Sequence, residues 1–399
     1  MAKDKLTDYD STTASNNTDI GGVSIAEGML PSNVNNSMRE LTKQLGAFAD
    51  GTDGVDVLKL QDDTDTNSIK LQAPSSVTAN TTFTLPDGDG TADQVLKTDG
   101  SGQLGFADRH PNPSLIINGA MQIWQRTTSV TTSSSGTFSA DRWASNAGAS
   151  TVFSRSTDVP TGFQYSLSVA GATYTGIRTR IEAANCKHIA GQEVTFSWYA
   201  KRTAGTGDMK TYLGYASAED NFGTVTLIEE VVNTASASVS SDWARYTYTV
   251  TLPANAANGL HFVVFNGSAS GAVTTLYTGV KLEVGSTATD FIHRSYGEEL
   301  ALCQRYYYQA GGDGVNSFAY KGYLAASNYV AATHQHPVAM RAAPTLTKVG
   351  TFNVSGIGQP SAVEATKVTY VWQAQKDGST GTYGFYSNNS GGFTLEAEL

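Results

Sequence analysis

The hydrophobic pattern of this chain is most distinctive between residues 61 and 106. Short runs rich in Thr, Val and Leu alternate apolar with polar positions there, and Asp-Gly or Pro-Asp-Gly breaks separate the runs. This pattern predicts brief β-strands joined by tight turns. The apolar positions are Ile69, Leu71, Val77, Phe83, Leu85, Val95, Leu96, Leu104 and Phe106. They are too few to enclose a core within one copy, so we expect identical chains to share one core in a rod.

An amphipathic helix is predicted just before this segment. Its apolar side chains recur at i, i+4, i+7, i+11 and i+14, which places them on one stripe of a helix of about four turns. They are Val34, Met38, Leu41, Leu45 and Phe48. Pro31-Ser32 or Asn33 begins the helix and Gly51 ends it. A lone helix of this length is marginal in water, so the stripe must pack on other copies or on a docking protein.

Residues 1–30 are polar and rich in turn formers, and we expect them to be extended or disordered on their own. Ile20, Val23 and Ile25 are spaced so that this segment could lie along the surface of a partner.

Beyond Pro111 and Pro113 the composition becomes globular. Alternating runs follow one another at short intervals up to residue 294, with turn signals between them and no helix-length run. This part predicts a two-sheet sandwich of jelly-roll type. A short helix over 298–309 should join it to a second, smaller β domain. The fold class is therefore mostly β, with predicted domains at 1–54 (attachment), 55–111 (stalk), 112–297 (jelly roll) and 298–399 (head).

Charge and composition exclude some classes of protein. The 26 Lys and Arg residues face 36 Asp and Glu residues, which gives a net charge of −10. Without a basic cluster the chain lacks the positive field that attracts nucleic acid. No apolar run approaches the roughly 20 residues of a membrane helix, and the N-terminus lacks the apolar core of a secretory signal. We expect synthesis in a reducing cytoplasm, with Cys186 and Cys303 as two separate buried thiols.

Catalysis finds little support in the sequence. Polysaccharide-cleaving enzymes use a pair of carboxylates that flank the scissile bond. Glu229 and Glu230 are adjacent, so on a strand they would point to opposite faces, and no solenoid repeat is visible. We therefore expect no enzyme and no catalytic residue.

Two metal sites stay open as weaker alternatives, and no cofactor is expected. His334 and His336 could face one side of a strand and bind a metal together with other chains, although two ordinary loop histidines explain the pair better. A structural calcium site could draw on four carboxylates, although no Asp-x-Asp-x-Asp-Gly loop supports it. These are Asp141, Asp158, Asp208 and Asp220.

Aromatic side chains near the C-terminus are the better indication of function. Sugars stack their apolar faces on Tyr or Trp, and amides and hydroxyls satisfy their polar groups. The receptor-binding candidates are Tyr320, Tyr323, Tyr329, Trp372, Tyr383, Tyr386, Asn388 and Asn389. The alternative for the aromatic residues is cross-strand packing inside a small β domain.

Several segments resemble the receptor-binding tail fibres of tailed bacteriophages. Those beyond the stalk include PNPSLIINGAMQIWQRTTSV, FSADRW, GQEVTFSWYAKR and TGVKLEVGSTATDFIHRSYGEELALCQRYYY. The segment TDIGGVSIAEGMLPSNVNNSMRELTKQLGAF resembles the virion-attachment end of such fibres, and APSSVTANTTFTLPDGDGTADQVLKTDGSGQLGF resembles their stalk repeat. The resemblance covers most of the chain, in the order that a fibre has.

The resemblance implies a homotrimer in the virion tail, synthesised in the host cytoplasm. Residues 16–48 would dock it to phage tail or adaptor proteins through Ile20, Val23, Ile25 and the helix stripe. The C-terminal domains would contact a bacterial surface polysaccharide or an outer-membrane protein, without membrane insertion, and the sandwich is similar to carbohydrate-binding jelly rolls. A polysaccharide-cleaving tail spike and a capsid-attached fibre remain the alternatives.

Overall fold

The computed structural model describes residues 19–20, 23–24, 30–49, 57–61, 68–72, 75–76, 82–90, 94–108, 114–171, 174–232, 239–269, 271–311, 315–324, 329–376, 381–388 and 391–399. It consists of two compact units, Met1–Arg109 and His110–Leu399, called here the N-terminal and the C-terminal unit. The mostly β fold class, with one N-terminal helix, is confirmed. The four domain boundaries stay predictions.

The described part of the N-terminal unit contains one helix and three small hairpins. Its elements are β1 (Asp19–Ile20), β2 (Val23–Ser24), α1 (Pro31–Ala49), β3 (Val57–Gln61), β4 (Ser68–Gln72), β5 (Gln94–Thr98) and β6 (Leu104–Asp108). The pairs β1–β2, β3–β4 and β5–β6 are antiparallel. The Asp99 carboxylate shapes the β5–β6 turn by accepting hydrogen bonds from the backbone N–H groups of Ser101 (2.7 Å) and Gln103 (3.1 Å).

Apolar side chains of this unit lie on its surface. On α1, Met38 is 65% exposed, whereas the polar Ser37 and Gln44 are buried. On the β5–β6 hairpin, Leu96 and Phe106 are cross-strand partners, and both are exposed. Among the side chains of this unit that the structure describes, none of the apolar ones is buried.

The C-terminal unit begins with eleven strands that form two packed sheets. They are β7 (Ser129–Thr132), β8 (Ala144–Asn146), β9 (Thr151–Ser156), β10 (Ser166–Gly171), β11 (Gly176–Ile181), β12 (Glu193–Ala204), β13 (Gly207–Ala218), β14 (Asn221–Val232), β15 (Ala244–Thr251), β16 (Leu260–Ala269) and β17 (Val273–Val284). The six-stranded sheet has the order β15-β12-β17-β10-β9-β7, and the five-stranded sheet has the order β14-β13-β16-β11-β8. Consecutive strands from β10 to β13 alternate between sheets, and the last strand β17 lies between β10 and β12. This is the jelly-roll arrangement, as predicted.

The core of the jelly roll lies between the two sheets and is aromatic at its centre. Phe196 on β12 stacks on Phe262 of β16 at a centroid distance of 4.6 Å, and so joins one sheet to the other. Trp143 and Trp198 are also fully buried. The alternation of buried and half-buried residues along β11 shows why these segments are strands with one face in a core. Two short helical turns complete the domain, α2 (Ala183–Cys186) and a 3₁₀ turn (Ala254–Asn258).

Helix α3 (Tyr296–Gln304) connects the jelly roll to the last strands, and its bounds differ from the predicted 298–309. Ser295 and Glu298 form a capping box that begins the helix earlier than expected. At its other end, Tyr307 and Tyr308 already belong to a β-strand, because their backbone pairs with the final strand of the chain.

The last nine strands form the head. They are β18 (Tyr307–Gly311), β19 (Val315–Leu324), β20 (Tyr329–Gln335), β21 (Thr345–Val349), β22 (Phe352–Ser355), β23 (Ser361–Ala365), β24 (Thr369–Gln375), β25 (Gly381–Asn388) and β26 (Gly392–Glu396). They make three sheets, β18-β26-β21, β19-β25-β22 and β20-β24-β23. Each sheet contains one strand from β18–β20, one from β21–β23 and one from β24–β26. The three sheets share one core around Trp372, Phe385 and Phe393.

The residues that follow β26 attach the head to the jelly roll. Glu398 forms ion pairs with Arg142 and with Arg126, whose Nη2 lies 3.0 Å from the carboxylate. Arg341 donates a hydrogen bond of 2.6 Å to the Ala397 carbonyl. The side chains of Arg142 and Glu398 are only 3% and 7% exposed, so removing either one would leave the other charge unpaired away from water.

Both cysteines are free and buried, as expected, and burial raises the pKa of the Cys186 thiol to about 12. Among the described helices, none has the length and hydropathy that crossing a membrane requires.

Candidate functional site

A cavity in the head lies over the sheet β19-β25-β22 and has a volume of about 760 Å³. We call it the head cavity. Its polar and aromatic lining comprises Tyr320, Lys321, Asn353, Ser355, Tyr383 and Tyr386. Hydroxyl, amide and ammonium groups therefore lie beside aromatic rings, which is the combination that binds sugars.

Strand register explains how the head cavity forms. Tyr386 on β25 has Asn353 of β22 and Ala319 of β19 as its two cross-strand partners. Gly384, two residues before it, lies between Lys321 and Ser355. A Cβ at Gly384 would come within 2.9 Å of the Tyr320 carbonyl, so the close strand approach at this point requires glycine.

The predicted receptor-binding residues separate into surface and core positions. Tyr386 is 42% exposed, and Tyr329 is also exposed, but on a different sheet. Trp372 is fully buried and packs edge-on against Tyr320, with the two ring centroids 5.1 Å apart. A ligand therefore does not reach the Trp372 ring. Tyr383 is buried at the cavity floor.

Three further predicted receptor residues have no described side chain. Tyr323 lies on β19 and Asn388 ends β25, and only their backbones are described, whereas Asn389 lies outside the described residues.

The predicted docking residues lie on exposed or undescribed parts of the N-terminal unit. Val34, Met38 and Leu45 are exposed on α1, and Leu41 is half-buried. Among the others, Ile20 and Val23 lie on β1 and β2, Phe48 lies on α1 without a described side chain, and Ile25 lies outside the described residues.

A second site, which the sequence analysis missed, lies on the five-stranded sheet of the jelly roll. It is a groove of about 390 Å³, called here the jelly-roll groove. Its lining includes Arg178, Arg180, Tyr212, Phe222, Leu227 and His261. The sequence did carry one signal: Arg178 and Arg180 alternate with Ile177, Thr179 and Ile181, which places both guanidinium groups on the face away from the core.

Hydrogen bonds join three of the residues that line this groove, Arg180, His261 and Tyr212. Arg180 Nε donates to His261 Nδ1 at 3.4 Å, which leaves the proton of the neutral ring on Nε2, and this nitrogen lies 3.4 Å from the Tyr212 hydroxyl oxygen. Burial, together with Arg180 and Arg178, lowers the pKa of His261 to about 3, so the ring is neutral at physiological pH. The Arg180 guanidinium also lies 4.8 Å from the centroid of the Phe222 ring.

Metal ligation has no described centre. Among the described residues, there is no group of three or more His, Cys, Asp or Glu side chains that could hold a metal ion. His334 and His336 both pack on Tyr370, and His336 Nε2 donates to the Thr366 carbonyl at 3.0 Å. Asp158 is bound by Lys201 at 2.7 Å.

Comparisons with known proteins give distant structural likenesses. No family model matches the chain, and no curated protein matches it. Similar solved structures include the xylanase 10B modules of Clostridium thermocellum with xylohexaose, at 13% identity and a TM-score of 0.28 over 38% of this chain and 28% of that one. The C-terminal family 22 carbohydrate-binding module of the same xylanase matches at 15% identity and a TM-score of 0.29, over 38% of this chain and 91% of that one.

A phage protein is also among the similar structures. The enzymatically active domain of tailspike protein 4 from bacteriophage CBA120 matches at 12% identity and a TM-score of 0.27, over 43% of this chain and 21% of that one. Similarities at these identities and TM-scores do not support a function for this chain, so its function is argued from its own residues.

Proposed function

We propose that the chain is the subunit of a homotrimeric tail fibre of a tailed bacteriophage. Its N-terminal unit attaches to the virion and assembles the three copies, and its C-terminal unit binds a glycan on the bacterial surface without cleaving it. The segments that resemble phage fibres motivate this proposal. A physical observation on the N-terminal unit carries it.

That observation is the exposed apolar surface of the N-terminal unit. Val34, Met38 and Leu45 form a stripe along one side of α1, and they are between 45% and 65% exposed in a single chain. Phe83 and Leu85 are exposed as well. Leaving such side chains in water costs about 1.5–3 kcal/mol each relative to burying them. Covering them with other copies of the same chain removes this cost and makes a shared core.

The head cavity supports the receptor-binding half of the proposal. Exposed Tyr386 offers a ring face for a sugar, and Asn353, Ser355 and Lys321 supply hydrogen-bonding groups around it. Three such cavities in one trimer, and several trimers on one virion, raise avidity because the later contacts are intramolecular.

Tyr386→Ala tests the head cavity. Purified wild-type chain should compete with virions for host cells and so slow their adsorption. Y386A should compete about tenfold more weakly, because it loses the ring face on which the sugar stacks and about 1.4 kcal/mol corresponds to a factor of ten. The matched control is Tyr296→Ala, because Tyr296 is exposed on α3 and does not line the cavity. Equal competition by Y386A and the wild type would remove the head cavity from the proposal.

Deletion of residues 1–50 tests the attachment end. We expect virions that carry this deletion to lack the fibre in a quantitative protein assay of purified particles. Particles with a normal complement of the shortened chain would contradict the anchoring role of α1 and β1–β2.

The non-enzymatic part of the proposal has its own test. Purified chain is incubated with host surface polysaccharide, and reducing ends and the polymer length are followed. Unchanged length is expected, together with the absence of haloes around plaques. Depolymerisation would favour the tail-spike alternative.

A further inference from the structure

We infer that the jelly-roll groove is a second binding site, for a glycan that carries carboxylate groups. Arg178 would bind a carboxylate, Arg180 would add positive charge beside it, and the apolar surfaces next to them would contact the sugar rings. This site is distinct from the head cavity. The inference rests on the residues that line the groove and does not require the chain to be a phage fibre.

The groove places two guanidinium groups side by side. Arg178 and Arg180 are two residues apart on β11, and their partners on β16 are Val263 and His261. A small second cavity, of about 70 Å³, adjoins the same two arginines and is also lined by Gly136. Gly136 has a φ of +94°, and a Cβ there would lie 2.9 Å from Arg178 Nη2, so the glycine leaves the room that this guanidinium occupies.

The protein balances only part of the positive charge here: Arg180 Nη1 donates a hydrogen bond to the terminal oxygen of Leu399, which also lines the small cavity. Arg142, which lines the small cavity, pairs with Glu398. In contrast, no carboxylate side chain among the described residues lies within ion-pair distance of Arg178 or Arg180. The Arg178 guanidinium also donates no hydrogen bond to any described residue. It is therefore available to an anion from solution.

The pKa shifts agree with this charge distribution. Burial and the charges of Arg178 and Arg142 lower the pKa of Arg180 to about 10, and burial lowers the pKa of Arg178. A bound anion would relieve both effects, because it stabilises the charged guanidinium groups. A carboxylate is a good match, since a guanidinium binds it through two parallel hydrogen bonds.

Apolar surface in the same groove favours a sugar over a simple anion. Leu227 is 53% exposed, and the rings of Tyr212 and Phe222 contribute to the lining. The volume of about 390 Å³ is in the range of small-ligand sites, roughly 300–1,000 Å³, and exceeds the size of an inorganic ion. A carboxylated oligosaccharide fits both features.

The test is isothermal titration calorimetry on the full-length chain at constant ionic strength. The probes are oligosaccharides of galacturonate, guluronate and glucuronate (as hyaluronan fragments), each compared with its carboxyl methyl ester. Inorganic phosphate and a single-stranded oligodeoxynucleotide are further probes. We expect at least one acid form to bind about tenfold or more tightly than its ester, because the ester keeps the rings but loses the charge.

Arg178→Gln is the decisive variant. It should weaken binding of the acid form about tenfold or more, while the thermal unfolding of the chain stays unchanged because Arg178 donates no hydrogen bond to the described residues. R178K keeps the charge without the two-pronged geometry and should lie between R178Q and the wild type. The matched control is Arg155→Gln on β9 in the other sheet, an exposed arginine over the Tyr165 ring, which should bind as the wild type does.

Each remaining outcome contradicts the inference. Equal binding of acid and ester forms, or none by either, removes the carboxylate role. Phosphate that binds as tightly as the oligosaccharides would reduce the groove to a simple anion site, and tighter binding of the oligodeoxynucleotide would make it a nucleic-acid site. None of these results bears on virion attachment or on the head cavity, which Y386A and the 1–50 deletion test separately.

Discussion

The two units of this chain treat their apolar residues in opposite ways. In the C-terminal unit the large side chains Trp143, Trp198 and Trp372 are fully buried within one copy. In the N-terminal unit the apolar side chains that the structure describes are exposed or half-buried, and Leu85 reaches 72%. The two units also differ in architecture: the C-terminal unit contains packed sheets, whereas the described part of the N-terminal unit contains two-stranded hairpins and one helix.

This difference shows which part of the chain can fold alone. A two-sheet sandwich buries one face of each sheet against the other, so it needs no partner. A two-stranded hairpin has nothing to cover its apolar face and is marginal in water by itself. On the proposed function, the N-terminal unit depends on association for its stability, whereas the C-terminal unit has a complete core of its own.

Separating the two units should give the largest effect. Residues 110–399 alone should unfold cooperatively at a temperature that does not depend on concentration, because their core is complete within one chain. Residues 1–109 alone should show a melting temperature that rises with concentration, since folding requires assembly. Circular dichroism melts at two concentrations a hundredfold apart check both. A concentration-independent melt of 1–109 would show that the N-terminal unit folds as a monomer.

A matched pair of phenylalanine substitutions should give the next largest effect. Phe262→Ala removes the ring that stacks on Phe196 in the jelly-roll core and should lower the free energy of unfolding of the C-terminal unit by about 3–5 kcal/mol. Phe83→Ala removes a ring that is 60% exposed in one chain and should leave that transition within about 0.5 kcal/mol. F83A should instead weaken assembly. Urea unfolding followed together with light scattering separates the two outcomes, and equal destabilisation by both variants would contradict the comparison.

Acid should weaken one unit selectively. All six histidines of the chain lie beyond residue 109. The pKa of His261 is about 3 in the folded state, against 6.5 for an ordinary histidine, so below pH 6.5 the unfolded chain takes up a proton that the folded chain refuses. The C-terminal unit should therefore lose about 1.6 kcal/mol between pH 6.5 and pH 5 from this residue.

Unfolding free energies at several pH values check the acid prediction. His261→Gln should flatten the slope in this range, and His188→Gln, an exposed histidine, should not. Assembly through the N-terminal unit should respond little over the same range. An unchanged slope in H261Q would contradict the role of His261.

The smallest effect is expected on the surface of the C-terminal unit. Lys187 and Glu219 form an ion pair of 2.9 Å, but both side chains are more than half exposed. Lys187→Gln should change the free energy of unfolding by no more than about 0.5 kcal/mol, because water and salt screen such pairs. A larger loss of unfolding free energy in urea would show that surface ion pairs, and not the buried core alone, stabilise this unit.

Alternation along the chain was enough to predict the jelly roll and the helix stripe, because the period of burial is written into the sequence. It could not predict the jelly-roll groove. Arg180 meets His261 only because β11 pairs with β16, and strand register across such a distance depends on the whole sandwich. Among the head aromatics, alternation gives two faces and does not say which is core, so Trp372 and Tyr386 looked equivalent. The early start of α3 was readable from the Ser295–Glu298 capping box.

The central claim is that identical chains share the core of the N-terminal unit. The mass of the purified full-length chain in solution, by sedimentation or light scattering, tests it most directly. We expect three times the mass of one chain, and R178Q and Y386A should keep that mass because both positions lie in the C-terminal unit. A well-folded monomer would contradict the claim, since the exposed stripe on α1 and the exposed face of the β5–β6 hairpin would then have no cover.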